Sequence, residues 1–298
     1  MEVRPGMNFS VPKQRSLAIA ALAITSTLWS LGGLLIKLVT WNPVAIAGMR
    51  SAIAALVFIL YIRKPKITFS FAQVGAAFFY AGTVILFVTA NKMTTSANAI
   101  LLQYTAPIYV AIFGFWFLKE RTSFLDWITI FFVLAGMVLF FVDEISINGI
   151  WGNIVAILSG VSFAGLAIFM RMQKDGSPIE SILLGNILTA LIGLPFMFQS
   201  MPDGKSWLGL ILLGVIQLGI PYVFYSYAIK HVTALEAVLI TVLEPVLNPV
   251  WVAVFIGEIP GLWAMLGGII VLISVTGRCV IPVVGKSKGT QASNTTST

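Results

Sequence analysis

The sequence has one cysteine, one histidine and few charges. Cys279 alone forms no intramolecular disulfide, and His231 alone leaves no imidazole cluster for a metal or haem. Charged residues are 10% of the 298, against about 25% in ordinary soluble domains, which excludes a large water-soluble domain. No Gly-Lys phosphate loop and no His-Glu-x-x-His helix occur, so neither nucleotide drive nor zinc proteolysis is expected. No cofactor is expected either. The alternating segments of an outer-membrane barrel are missing too. No cleavable signal peptide is expected, because the run Leu17 to Ile36 is too long for an h-region and leads directly into another apolar run.

What is present is apolar length. Hydrophobic residues make up 58% of the chain, with 26 glycines among the rest. Uncharged runs cover Leu17 to Ile36, Ile67 to Asn91, Met93 to Leu118, Trp127 to Val142 and Ile145 to Met170. Three more cover Ser181 to Pro202, Ser206 to Ile229 and Ile259 to Gly277. Two further runs each hold one charge deep inside: Pro43 to Ile62 with Arg50, and Ala234 to Gly257, which has Glu236 at its start, with Glu244. A helix needs about 20 apolar residues to cross a bilayer, so the sequence predicts an all-α integral membrane protein of ten spans.

The basic residues orient it. With the N-terminus cytoplasmic, fourteen of the 18 Lys and Arg fall on inward segments, and only Lys37, Lys92 and Lys205 face outward. That asymmetry predicts both termini inside. It also accounts for the net charge of +7 without nucleic acid, for which no basic domain remains. The tail, residues 283–298, is polar and of low complexity and is expected to be disordered. The sequons at Asn8 and Asn294 fall on the inward side and are discounted.

The chain also repeats itself. Laid over Ala228–Glu258 at an offset of 138 residues, Ala90–Glu120 is identical at eight positions, including Lys92/Lys230, Thr95/Thr233, Pro107/Pro245 and Glu120/Glu258. Trp29–Lys37 aligns with Phe163–Arg171, and Pro43 with Pro178. The halves are residues 17–142 and 148–282, preceded by a cytoplasmic segment 1–16. Five spans per copy force the second to cross the membrane in the opposite sense. Inverted repeats of this kind are a recurring design of secondary transporters, with the substrate site near the midplane.

These features resemble the drug/metabolite transporter superfamily, in its EamA-type branch. The shared elements are the two five-span repeats, Trp29-Ser-Leu-Gly in the first span and Pro43 followed by Arg50 in the second. To these are added Pro107 with Lys119-Glu120 in the fourth, and Glu244-Pro245 with Gly257-Glu258 in the ninth. The similarity covers residues 15–282. It implies a basket-like bundle whose third, fourth, eighth and ninth spans line a central cavity, working by alternating access. The second copy departs where Asn186 or Gly185 replaces Arg50 and Gly257 replaces Lys119.

Candidate site residues follow from the scarcity of charge. Glu244 lies about ten residues into its span, hence ~15 Å deep, and a carboxylate there must face protein or water. Thr241, Glu244, Asn248 and Trp251 share one helix face by their spacing. Pro107, Pro245 and Pro249 each remove a backbone hydrogen bond and are read as kink or gating positions. Arg50 suits a substrate carboxylate or phosphate; alternatively it pairs with Glu244. Gln103 and Tyr104 in the fourth span, Gln217, Tyr222 and Tyr225 in the eighth, Tyr80 and Thr83 in the third, and Trp29 complete the candidate lining. Glu120 and Glu258 are read as solvated interface charges, with helix-end charge pairs or gate latches as the alternative, and Lys92 and Lys230 as interface anchors rather than ligands.

The expectation is a non-enzymatic secondary carrier of a bacterial inner membrane, exporting or exchanging a small amphipathic metabolite. An amino acid leads, since Glu244 and Arg50 address an amine and a carboxylate. A facilitator and a quaternary-amine or multidrug exporter are the alternatives, with a channel or intramembrane enzyme more remote. Ser162 and His231, the one serine–base pair worth considering, are predicted to lie apart. The partners expected are the substrate, the bilayer and protons, with the chain a monomer or homodimer.

Overall fold

The computed structural model describes residues 11–143, 149–247 and 261–295, with side chains over 13–143, 149–247 and 261–279. Among the described residues every regular element is helical. Eight helices are long and apolar enough to cross a membrane, beginning with Lys13–Leu38 and ending with Leu262–Cys279, and Phe124–Phe140 is a shorter apolar helix. With the ninth span, the chain is a ten-helix membrane protein built as two inverted repeats of five.

Among the described residues four spans are interrupted, each beside a glycine or a proline. The first span is α1 (Val11–Trp29) and α2 (Gly32–Leu38), broken at Ser30-Leu31 ahead of two glycines. The second and third are α3 (Pro43–Ile62) and α4 (Phe71–Met93). The fourth is α5 (Ser96–Gln103) and α6 (Ala106–Leu118), with Pro107 in the first turn of α6. Then come α7 (Phe124–Phe140), α8 (Ile150–Met172) and α9 (Pro178–Met197). The eighth span is α10 (Gly204–Leu212), a π-helical stretch Leu213–Gly219 and α11 (Ile220–Ala228). Pro221 there lacks the N–H that would bond to residue 217, and wider turns absorb the mismatch. The ninth is α12 (Ala234–Thr241), a break at Val242 and helix again over 243–247.

Helix starts are fixed by side-chain caps. Thr95 accepts from the Asn98 N–H and Thr233 from the Glu236 N–H, so the repeat-matched threonines both cap their spans. Thr233 with Glu236 and Ser123 with Asp126 are complete capping boxes.

Packing follows the repeat. The second span packs on the seventh and the fifth on the tenth, while the third packs on the sixth as the eighth packs on the first. That pattern is what a pseudo-two-fold axis in the membrane plane requires. The last helix, α13 (Leu262–Thr295), is helical through residues 283–295, where composition predicts a disordered tail. A helix already nucleated in the membrane extends by one bond per residue fixed.

Candidate functional site

The interior of the bundle holds a cavity of about 40 Å³ with a mixed, largely apolar lining, room for roughly three waters. Its charged walls are Arg50 from the second span and Glu244 from the ninth. Trp29, Phe87, Tyr104, Phe163 and Tyr222 supply aromatic surface, and Thr83, Gln103 and Gln217 supply polar groups. Seven spans contribute, the first and sixth included, where the resemblance implies only the third, fourth, eighth and ninth.

Arg50 and Glu244 do not form an ion pair. Among the described residues the ion pairs join Arg15 and Arg278 to Glu236, Arg278 to Asp126, and Arg171 to Glu120. Arg50, 1% exposed, donates from Nη1 to Gln217 Oε1 at 3.0 Å, and its Nε is buried without a hydrogen-bond partner. A guanidinium with unfilled donors in such a cavity retains capacity for an anionic group. Gln217 is held against Gly32 so closely that a Cβ on that glycine would lie 2.8 Å from Gln217 Nε2.

Glu244 faces Tyr104 instead. The Tyr104 hydroxyl lies 2.6 Å from Glu244 Oε2 and 2.7 Å from the Thr241 carbonyl oxygen. That carbonyl is free because residue 245, its usual partner four positions on, is a proline. In the first repeat Pro107 frees the Gln103 carbonyl in the same way. The sixth span approaches there at Gly160, where a Cβ would lie 2.7 Å from the Gln103 oxygen. Gln103 itself donates from Nε2 to Ser159 Oγ at 2.8 Å, and that hydroxyl donates to the Thr83 carbonyl at 3.1 Å.

The sequence candidates therefore divide into layers. Glu244, Arg50, Gln103, Tyr104, Tyr222 and Trp29 line one cavity. Tyr80 and Tyr225 stand behind it, their rings 5.0 Å from Tyr222 and 5.6 Å from Trp29 respectively. The Thr241 hydroxyl turns back to the Val238 carbonyl, so this residue meets the site through its backbone. Pro107 and Pro245 sit just after the breaks of their spans. Asn248, Pro249, Trp251, Gly257 and Glu258 lie outside the described residues. Sequence reasoning missed Ser159, whose one signal was a polar residue on an apolar stretch beside Gly160.

The Arg50–Gln217 bond has a counterpart: Tyr80 donates to Asn186 Oδ1 at 2.9 Å. One joins the second span to the eighth, the other the third to the seventh. Lys92 donates to the Val39 carbonyl at 2.8 Å and Lys230 to the Gly176 carbonyl at 2.9 Å, so the matched lysines close the ends of the first and sixth spans. Glu120 departs from the expectation of a solvated charge. It accepts from Arg171 Nε at 2.8 Å and from the Ala234 N–H at 3.1 Å, because the sixth-span end and the ninth-span start converge on it.

Fold and cavity together define an inverted-repeat membrane transporter. The EamA-like transporter family matches at residues 16–142 and 150–277, and the chain belongs to that family. An uncharacterized transporter of Archaeoglobus fulgidus is 29% identical over 202 residues, covering 67% of this chain and 73% of the relative. Solute carrier family 35 member G1 of Mus musculus is 25% identical, covering 89% and 78%. The pseudopaline exporter CntI of Pseudomonas aeruginosa is 23% identical, covering 76% and 82%. One solved crystal structure superposes with a TM-score of 0.77 at 18% identity over 89% of this chain and 97% of that one, and so shares the fold.

Proposed function

We propose that the protein is a secondary carrier that exports or exchanges a small zwitterionic metabolite, an amino acid or a related amphipathic solute, by alternating access. The observation that carries this reading is the cavity with an incompletely bonded guanidinium on one wall, a carboxyl on another and aromatic rings between. Arg50 takes the carboxylate, Glu244 the amine, and Trp29, Phe163 and Tyr222 the apolar body. The cavity's 40 Å³ is too small for such a solute, so binding requires the bundle to widen. Protons are the proposed coupling ion, with Glu244 as their carrier. The surplus of Lys and Arg on one side supports a bacterial inner membrane location with both termini cytoplasmic.

A quaternary-amine substrate is the second reading, favoured by the aromatic rings around a single carboxyl. Thermal unfolding of the purified protein against amino acids, amines, nucleosides and organic acids separates the two, since a ligand that binds the folded state raises the melting temperature with the logarithm of its concentration over Kd. A zwitterion's shift is expected to vanish in both Glu244→Gln and Arg50→Lys. A shift lost in Glu244→Gln alone supports the amine. Ligand shifts that survive both substitutions place the site elsewhere.

A further inference from the structure

We propose that Tyr104 is a positioning residue that couples the protonation of Glu244 to the hinge at Pro245. The proposal rests on Glu244 acting as the proton carrier. Its basis is a shortage of hydrogen. The Tyr104 hydroxyl has one proton and two acceptors within reach, Glu244 Oε2 at 2.6 Å and the Thr241 carbonyl oxygen at 2.7 Å. All three groups are buried, with Tyr104 1%, Thr241 0% and Glu244 6% exposed, so an acceptor left without a donor costs the full penalty of desolvation.

The two protonation states distribute that hydrogen differently. With Glu244 ionised, the hydroxyl donates to the carboxylate, because a charged acceptor forms the stronger bond. The Thr241 carbonyl is then bare at a point in the ninth span where Pro245 leaves the helix without an N–H to supply. With Glu244 protonated by a proton from the aqueous phase, its own O–H donates to the tyrosine oxygen. The tyrosine hydrogen turns to Thr241. No bond to carbon changes, and the proton count rises by the one taken from water. Protonation thus satisfies the broken turn and deprotonation exposes it, so the hinge senses the charge of Glu244 through a residue of the fourth span.

The other titratable or charged side chains lining the cavity are Arg50 of the second span and Tyr222 of the eighth. Arg50 donates to Gln217 and makes no ion pair with Glu244, and no hydrogen bond joins Tyr222 to Glu244 or Thr241 among the described residues. The repeat isolates the device to one half. At the matching place in the fourth span Pro107 frees the Gln103 carbonyl, but Ala106 stands where the ninth span has Glu244. The first-half break therefore has no charge to sense.

The test is pH-difference infrared spectroscopy of the full-length protein in lipid, without any substrate, from about pH 5 to about pH 9, a range that covers buried carboxyls. A carboxylic C=O band absent from Glu244→Gln identifies the group. In the native chain an amide I change is expected to titrate with that band. In Tyr104→Phe, which keeps the ring, the carboxyl band persists and the accompanying amide change is lost. In Pro245→Ala, which restores an N–H to the Thr241 carbonyl, the amide change is lost as well. An amide change that survives in Tyr104→Phe overturns the role given to Tyr104 while leaving Glu244 as proton carrier. Absence of any Glu244 band in the native chain overturns proton coupling itself, and with it this inference.

Discussion

Arg50 is tied to Gln217 by a 3.0 Å hydrogen bond, while the carboxyl with which it shares a cavity is bonded to Tyr104. The sequence alone leaves open whether Arg50 and Glu244 staple the second and ninth spans together. The geometry gives each its own neutral partner, on the eighth and fourth spans respectively. Both charges thereby remain in the cavity without cancelling one another, held by groups that can be displaced without separating an ion pair.

Gln217→Leu is the first consequence. It leaves a fully buried guanidinium with no acceptor, and the expected loss of stability is about 1.5–3 kcal/mol. Removing the acceptor of the counterpart bond, Asn186→Leu, strands only the Tyr80 hydroxyl and is expected to cost about 1 kcal/mol. Thermal unfolding in detergent compares them. Equal losses show that Arg50 finds another acceptor in the native chain.

Much of this was legible before any coordinates. Pro107 and Pro245 announce the breaks in the fourth and ninth spans, and the scarcity of charge singles out Arg50 and Glu244. The partners were not legible, because a hydrogen bond between spans over 100 residues apart has no local signature. Gln217 and Asn186 became partners only when the eighth span packed on the second and the seventh on the third. The close packing of the π-helical stretch was hidden for a similar reason: Gly214 lets Ile53 approach to where a Cβ would lie 2.6 Å away, and nothing near residue 214 in sequence names that neighbour. Glu120 was misjudged because its solvation depended on where Arg171 and the start of the ninth span would fall.

Glycines set the distance between the second and seventh spans. A Cβ on Gly193 would lie 2.6 Å from the Gly48 Cα and 3.0 Å from the Val44 carbonyl oxygen, both backbone and neither able to rotate away. Gly193→Ala is therefore expected to destabilise by about 1–3 kcal/mol through overpacking. Gly114→Ala, in a helix where a Cβ meets nothing within 4 Å, is expected to be neutral or to stabilise by up to about 1 kcal/mol. Melting temperatures of the two variants should move apart; a matching rise in both would mean that helix propensity, not close approach, governs these positions.

His231 offers a pH test outside the membrane spans. It sits in the turn after the eighth span, its ring 4.8 Å from Tyr227. Burial lowers its pKa below the ordinary value, and the positive charges of Lys230 and Arg171 lower it further. The folded state thus binds this proton less readily than the unfolded chain. The contribution is fully present above the unfolded value of about 6.5 and is lost as pH falls through the folded one. His231→Gln should melt with less acid sensitivity than the native chain below about pH 6.5, and identical slopes would remove the residue from the account.

Arg171 links three spans. Its Nε donates to Glu120 Oε1 at 2.8 Å, and its Nη1 donates to the carbonyls of Ile229 and Lys230 at 3.0 and 2.9 Å. Glu120 in turn receives the Ala234 N–H, so the ends of the fourth, sixth and eighth spans and the start of the ninth are fastened at one face. In the alternating access proposed above, that fastening opens in one state. A partly exposed pair is worth up to about 1 kcal/mol, which amounts to a population change of about fivefold. A cysteine placed in the cavity at Thr83, on a Cys279→Ser background, reports the opening through its rate of labelling by a membrane-impermeant maleimide. Glu120→Gln is expected to raise that rate about fivefold from the face carrying Arg171 and to leave the opposite face unchanged or slower. High salt should imitate the substitution in the native chain, because screening shortens to about 3 Å at 1 M. An increase confined to the other face would show that the Arg171–Glu120 pair fastens an open state rather than a closed one.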